Sequence, residues 1–255
     1  MKIRVSSKDF RDVVTAISNV YRGGATLKVY KEYIEAIAAS VDNSISICCK
    51  IPILNEDDIN LTNNESIPLY VTDLTKFIKL LSMNEANEFE FEVKNNYVYF
   101  KSDKIHGAKF ILDEIPPQKL PASATSKKFN SLVPKYETEL TKNQIKELFQ
   151  AASFADASDK IYFYQDDDKL IAEFNDRTLN NISNISMIIS ENGTGKIDDK
   201  VIVAVDAFNS IITTSPSIKF AIIGINSRNV SFEALLITID TEGGYIKYLF
   251  NSKLR

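Results

Sequence analysis

One plan recurs four times along this chain: an extended stretch, a Ser, Thr or Asp, then a helix with one apolar face. The copies are IRVSSKDFRDVVTAISNVY, LYVTDLTKFIKLL, YETELTKNQIKELFQAASFA and VIVAVDAFNSIITT. Their helices begin near residues 7, 73, 142 and 207, so the interval is nearly constant. It exceeds the period of common solenoids, and the copies read as four related supersecondary units. Expected N-caps are Ser6 or Ser7, Thr72, Thr141 and Asp206, each able to accept from an otherwise unpaired N–H of the first turn. Thr141 with Gln144 fits a capping box. In the second copy Leu74, Phe77, Ile78 and Leu81 share one face, and Lys76 and Lys79 lie off it.

Between the helices the chain reads as strands. EFEFEVKNNYVYF alternates strictly and turns at Asn95-Asn96; KIYFYQDDDKLIAEF turns at Asp166–Asp168. ISNISMIIS, SIKFAIIG, LLITIDT and YIKYLF complete the second half, and short connections make most pairings antiparallel. Residues 113–135 carry four of the seven prolines among small and polar residues, as an inter-domain connector would. The expected division is a first domain over 1–115, a connector over 116–133 and a second domain over 134–255. Fold class is therefore α+β, two similar domains each with two helices packed on antiparallel sheets.

Charge is distributed unevenly. The chain carries −4 overall, which argues against a generic nucleic-acid binder. The four helical spans (8–22, 73–82, 142–155 and 206–214) hold seven basic residues: Lys8, Arg11, Arg22, Lys76, Lys79, Lys142 and Lys146. They hold five acids, so they sum to +2 and the remainder to −6. The first three helices show Thr15, Ser18, Ser82, Gln150 and Ser153 beside these cations, and the fourth shows Asn209, Ser210 and Thr213. Basic or neutral helix faces against acidic sheets suit a polyanion that faces the helices.

Other chemistry finds little support. ENGTGKIDDK holds Gly193, Gly195 and Lys196, but Ile197 stands where a phosphate loop needs Ser or Thr. Asp166–Asp168 reads as a solvated turn, and His106 has no nucleophile motif near it. The adjacent cysteines lie in an alternating strand, with Cys49 expected inward and Cys48 outward, and a zinc site would want four ligands. No catalytic constellation, metal site or cofactor is expected. There is no apolar run near 18 residues and no signal-peptide core at the N-terminus, so a soluble cytoplasmic protein is expected.

TDLTKFIKLL, AASVDNSISI and GGYIKYLFNSKL, taken with the connector and the twofold internal repeat, resemble the trimeric DNA sliding clamps: proliferating cell nuclear antigen and the T-even phage clamp. They match, in order, the family's second helix with both lysine positions, its serine–hydrophobic–aspartate turn, and its closing strand and tail. The resemblance implies the DNA-clamp fold, assembling head to tail into a homotrimeric ring with twelve helices lining the lumen. It implies a non-enzymatic processivity factor that encircles double-stranded DNA without reading sequence and tethers DNA polymerase and the clamp loader. Lys76 and Lys79 would face phosphates. The partner pocket, which takes a short hydrophobic peptide motif, carries over to Val41, Leu120, Leu249, Phe250 and Asn251, with Leu249 or Phe250 available outside the core. A strand near His106–Leu112 would pair with one near Ile182–Ile189 of the neighbour. The fourth helix lacks Lys and Arg, and Ser252 stands near where the nuclear antigen has proline. These departures point to a divergent, phage-like clamp, acting in the cytoplasm of an infected host cell if viral.

Two other readings compete. A monomeric clamp-like processivity subunit would bind DNA on one basic helix face without a ring. An enzyme, a small phosphotransferase using Gly193–Lys196, is the more distant one.

Overall fold

The computed structural model describes residues 1–62, 65–102, 104–120, 125–155, 159–174, 184–212, 214–227 and 230–251. The chain divides into two compact units. The first comprises Met1–Ala39, Ile47–Phe129 and Asp240–Ile246; the second comprises Ser40–Ser46, Asn130–Ile239 and Lys247–Arg255.

The first unit runs β1 (Lys2–Ser6), α1 (Ser7–Val20), β2 (Ala25–Val29), β3 (Tyr33–Ala39), β4 (Ile45–Pro52, whose first two residues belong to the second unit), β5 (Ile67–Val71), α2 (Leu74–Ser82), β6 (Glu88–Val93), β7 (Tyr97–Phe100), β8 (Ala108–Ile111) and α3 (Ser126–Asn130, whose last residue belongs to the second unit). One antiparallel sheet has the order β1-β6-β7-β8, and a second set is ordered β4-β3-β2-β5. Helix α1 packs on strands of both and against α2. Phe10, Val13, Val14, Ile17 and Val20 recur at helical spacing and are buried. Phe10 stacks on Phe91 at 5.7 Å between centroids and meets Phe77 of α2 edge-on at 5.8 Å.

Caps set the helix starts. The Ser6 hydroxyl accepts the Asp9 N–H at 3.3 Å. Thr141 and Gln144 form both halves of a capping box. At α2 the cap is Asp73, whose carboxylate accepts the Lys76 N–H at 2.8 Å, and not Thr72; the Thr72 hydroxyl donates to Asp113 instead.

The second unit runs β9 (Pro134–Thr141), α4 (Lys142–Phe154), β10 (Lys160–Asp166), β11 (Lys169–Phe174), β12 (Ile185–Ser190), β13 (Thr194–Gly195), β14 (Val201–Ala204), α5 (Val205–Phe208), β15 (Ser217–Ser227), β16 (Val230–Asp240) and β17 (Tyr245–Phe250), whose first two residues belong to the first unit. One sheet has the order β12-β11-β10-β14, and β13-β9-β15-β16 are neighbours in another. Helix α4 packs on β9, β11 and β12. The core is aromatic: Phe208 lies among Phe149, Phe163 and Phe250, with centroids 5.6, 5.9 and 6.2 Å away.

Four expectations need correction. The fourth helix is a single turn that ends at Phe208, capped by Ala204 without a side-chain hydrogen bond. Asp206 is a first-turn residue, not the cap. Ser210 turns its hydroxyl back to the Ala207 carbonyl and is buried, and β-branched Ile211 and Ile212 follow. Cys48 is as fully buried as Cys49. Hydrogen bonds from Ser40 N to Ile45 O and from Ile53 N to Glu32 O set the β3–β4 register, which puts Cys48 across from Ile37. Ile37 in turn lines a groove together with the connector residues Pro116, Gln118 and Leu120. Connector residues also form α3, an element that composition did not suggest.

Candidate nucleic-acid interface and partner site

Exposed cations lie on both the sheets and the helices, and Lys28 and Lys109 of the sheets make no ion pair to a described residue. On the sheets and at the strand ends, Lys2, Arg4, Lys94, Lys169 and Lys200 each lie within ion-pair distance of a glutamate. On the helices, Lys76, Lys79, Lys142 and Lys146 are exposed and make no ion pair to any described residue. Lys8 is the exception, at 4.0 Å from Asp12 one turn along. An exposed pair of that kind is weak and easily exchanged for another anion. Arg11 is half-buried, and its Nε is a buried donor without a partner. Arg22, expected on the first helix, is exposed just beyond its end. Asp9, one of the five acids of the helical spans, is buried in the first turn of α1. Thr213 lies outside the described residues. The helices thus hold six of the seven expected basic residues, and at least four ammonium groups are uncommitted. Such groups can take phosphate oxygens at little cost, because no existing pair must be broken.

The turn between β3 and β4 is built around Asp42. Its Oδ1 accepts the Ser40 hydroxyl at 2.7 Å, the Ser44 N–H at 3.1 Å and the Ser44 hydroxyl at 2.7 Å. Asn43 takes a left-handed conformation, φ 56°, which Asn tolerates. This knot leaves Val41 no inward path, and it is 87% exposed. Asn251 ties the end of β17 to the same turn: its N–H donates to Ser44 O at 2.9 Å and its side-chain amide to Asn43 O at 2.7 Å. Val41 and Asn251 are therefore brought together in the second unit. The expectation that Leu249 or Phe250 would be available does not hold. Phe250 is fully buried in the aromatic core, and Leu249 is only 8% exposed. Alternation along β17 fails as a guide because both faces of its last residues are covered. Leu120 is half-buried in the first unit, lining a groove of about 450 Å³ with Ile37, Pro68, Tyr70 and Gln118. That groove, and Glu35 within it, escaped the sequence reading. The available signal was a glutamate sharing a strand face with Ile37 (YIEAI).

The other candidates resolve locally. Thr194–Gly195 pairs with β9, and the Lys196 N–H donates to Lys135 O, so these residues form a strand rather than a phosphate cradle. Asp167, at φ 51°, is the tip of an exposed turn. Among the described residues no group of three His, Cys, Asp or Glu could hold a metal ion, and no helix is long and apolar enough to cross a membrane.

No family model matches the chain, and no curated protein matches it. Solved structures do. Superposition on proliferating cell nuclear antigen from A. fulgidus, solved with the C-terminal region of FEN-1, gives a TM-score of 0.72 at 13% identity, covering 100% of this chain and 98% of that one. The Entamoeba histolytica nuclear antigen gives 0.71 at 12%, covering 99% and 98%. The PCNA2–PCNA3 complex of Sulfolobus tokodaii gives 0.70 at 14%, covering 100% of both chains.

Proposed function

We propose that this chain, which has the sliding-clamp fold along its whole length, is a DNA polymerase sliding clamp: a non-catalytic homotrimeric ring that encircles duplex DNA and tethers replication proteins. The observation that carries the reading is the set of exposed lysines without an ion pair, Lys76, Lys79, Lys142 and Lys146, on the helices of a chain with the clamp fold. Uncommitted ammonium groups hold phosphates without reading bases, which is what sliding needs.

Two strands support the ring. β8 and β12 each stand last in their sheet order. Each shows an apolar side chain to solvent, Ile111 at 56% and Ile188 at 49% exposure. An uncovered edge with exposed isoleucine is a pairing liability unless another strand covers it, and a heterologous contact of this kind repeats until it closes. Polymerase and loader would dock through short hydrophobic peptides at the turn carrying Val41, beside Asn251, and Leu249, only 8% exposed, is left out of that site. Phe250 is left out of that site because it is core.

Mass in solution at low micromolar concentration, combined with retention on nicked circular DNA, tests the proposal. Three chain masses are expected, with a loaded protein that stays on circles and leaves once they are linearised. A monomer at all accessible concentrations, or retention that ignores linearisation, overturns the ring and favours one-sided binding on the basic helix face.

A further inference from the structure

We propose that Asn192–Gly193, in the turn between β12 and β13, is a self-modifying site: its asparagine deamidates in the folded chain, and the isoaspartate that forms releases β13 from β9. The inference rests on the second unit alone and does not require the ring.

ENGTG holds the single Asn-Gly pair of the sequence. Asparagine is thermolabile, and a following glycine puts no side chain in the way of attack on its amide. Asn192 is exposed, and its carboxamide makes no hydrogen bond to a described residue. The Gly193 N–H is equally uncommitted among the described residues. Two other asparagines that precede a small residue are held differently. After Asn43, the Ser44 N–H donates to Asp42 Oδ1 at 3.1 Å; after Asn209, the Ser210 N–H donates to Ala207 O at 3.1 Å. Those nitrogens must give up a hydrogen bond before they can attack, and Gly193 need not.

The Gly193 nitrogen gives its proton to hydroxide and bonds to Asn192 Cγ. The Cγ–Nδ2 bond breaks, and ammonia leaves with a proton from water. The cyclic imide then takes up one water. Opening at Cγ gives aspartate; opening at the Asn192 main-chain carbonyl gives isoaspartate, whose backbone runs through Cγ and is one methylene longer. This turn has no room for the extra length. Tyr136 is fully buried, and a Cβ on Gly193 would stand 1.9 Å from its hydroxyl oxygen. The turn is also tied from the other side, where the Asn192 N–H donates to the Ser190 hydroxyl at 3.3 Å and that hydroxyl meets Thr138 Oγ1 at 2.7 Å. What lies beyond Gly193 is weakly held: β13 pairs only Thr194 with Glu137 and Gly195 with Tyr136, and the Lys196 N–H donates to Lys135 O at 3.0 Å. A ladder this short gives way before the buried Tyr136 does.

The test ages the intact chain in mildly alkaline buffer, folded and in urea, and follows each asparagine by peptide mapping with fragmentation that separates aspartate from isoaspartate. Folding should slow Asn43 and Asn209 about tenfold or more, because their neighbours' N–H groups are engaged. It should leave Asn192 close to its unfolded rate. Hydrogen exchange then reads the consequence. The Lys196 amide should lose its protection in the isoaspartyl chain and keep it in an aged Asn192→Gln variant, whose longer side chain closes the imide far more slowly. Fresh Asn192→Asp carries the new charge without the extra methylene and should also stay protected. Asn192 slowed by folding as much as Asn43 and Asn209, an isoaspartyl chain whose Lys196 amide stays protected, or protection already lost in fresh Asn192→Asp overturns the proposal.

Discussion

Asp9, in the first turn of α1, accepts the backbone N–H of Glu242 at 3.2 Å across 233 residues of sequence. Its carboxyl is 1% exposed. Burial pushes its pKa above the ordinary 3.8, against the opposing pull of the Glu242 N–H. The folded form therefore holds a proton just above pH 3.8, where the unfolded chain has released it. Stability from this group falls as pH rises through that window and levels off above it. Asp9→Asn keeps the acceptor and removes the buried charge. Thermal melts between pH 3.5 and 7 should show an equal or higher midpoint near neutrality and a flatter acid-range slope; a lower neutral midpoint would count against this account.

Replacing Lys76, Lys79, Lys142 and Lys146 together by Ala should weaken DNA association and flatten its salt dependence. Each lost phosphate contact lowers the log–log slope by roughly 0.9. All four side chains are exposed, so each change should alter stability by about 0.5 kcal/mol or less. An unchanged slope in a salt titration would place DNA elsewhere.

Phe250 and Val41 should separate cleanly. Phe250→Ala removes a fully buried ring that packs on Phe208 and Tyr248, and should cost about 3–5 kcal/mol in denaturant unfolding. Val41→Asp alters an 87% exposed side chain and should leave the unfolding midpoint in place while lowering polymerase stimulation. Normal stimulation by the Val41 variant would move the partner site away from that turn.

Lysine at Ile111 or Ile188 places a charge on the strand proposed to be covered by a neighbouring subunit. Either variant should fold as the wild type does, since both positions face solvent within one chain, yet shift the solution mass toward the monomer. A trimer that survives both changes would move the interface off β8 and β12.

The sequence by itself determined the features that depend on a few neighbouring residues. Thr141 and Gln144 meet because they stand three positions apart at a helix start, and both halves of their capping box form. Glu88–Val93 and Tyr97–Phe100 pair because their alternation continues across a short polar turn. Phe10, Val13, Val14 and Ile17 are buried because helical spacing puts them on one stripe. Periodicity identifies the two faces of an element but not what covers each of them. The tertiary structure decided that for Cys48, which is fully buried on the face expected to point outward, and for Phe250, held by Phe208 of a helix that ends after one turn. Burial of these residues is a contact between distant segments, and no local pattern of residue types encodes which segments meet.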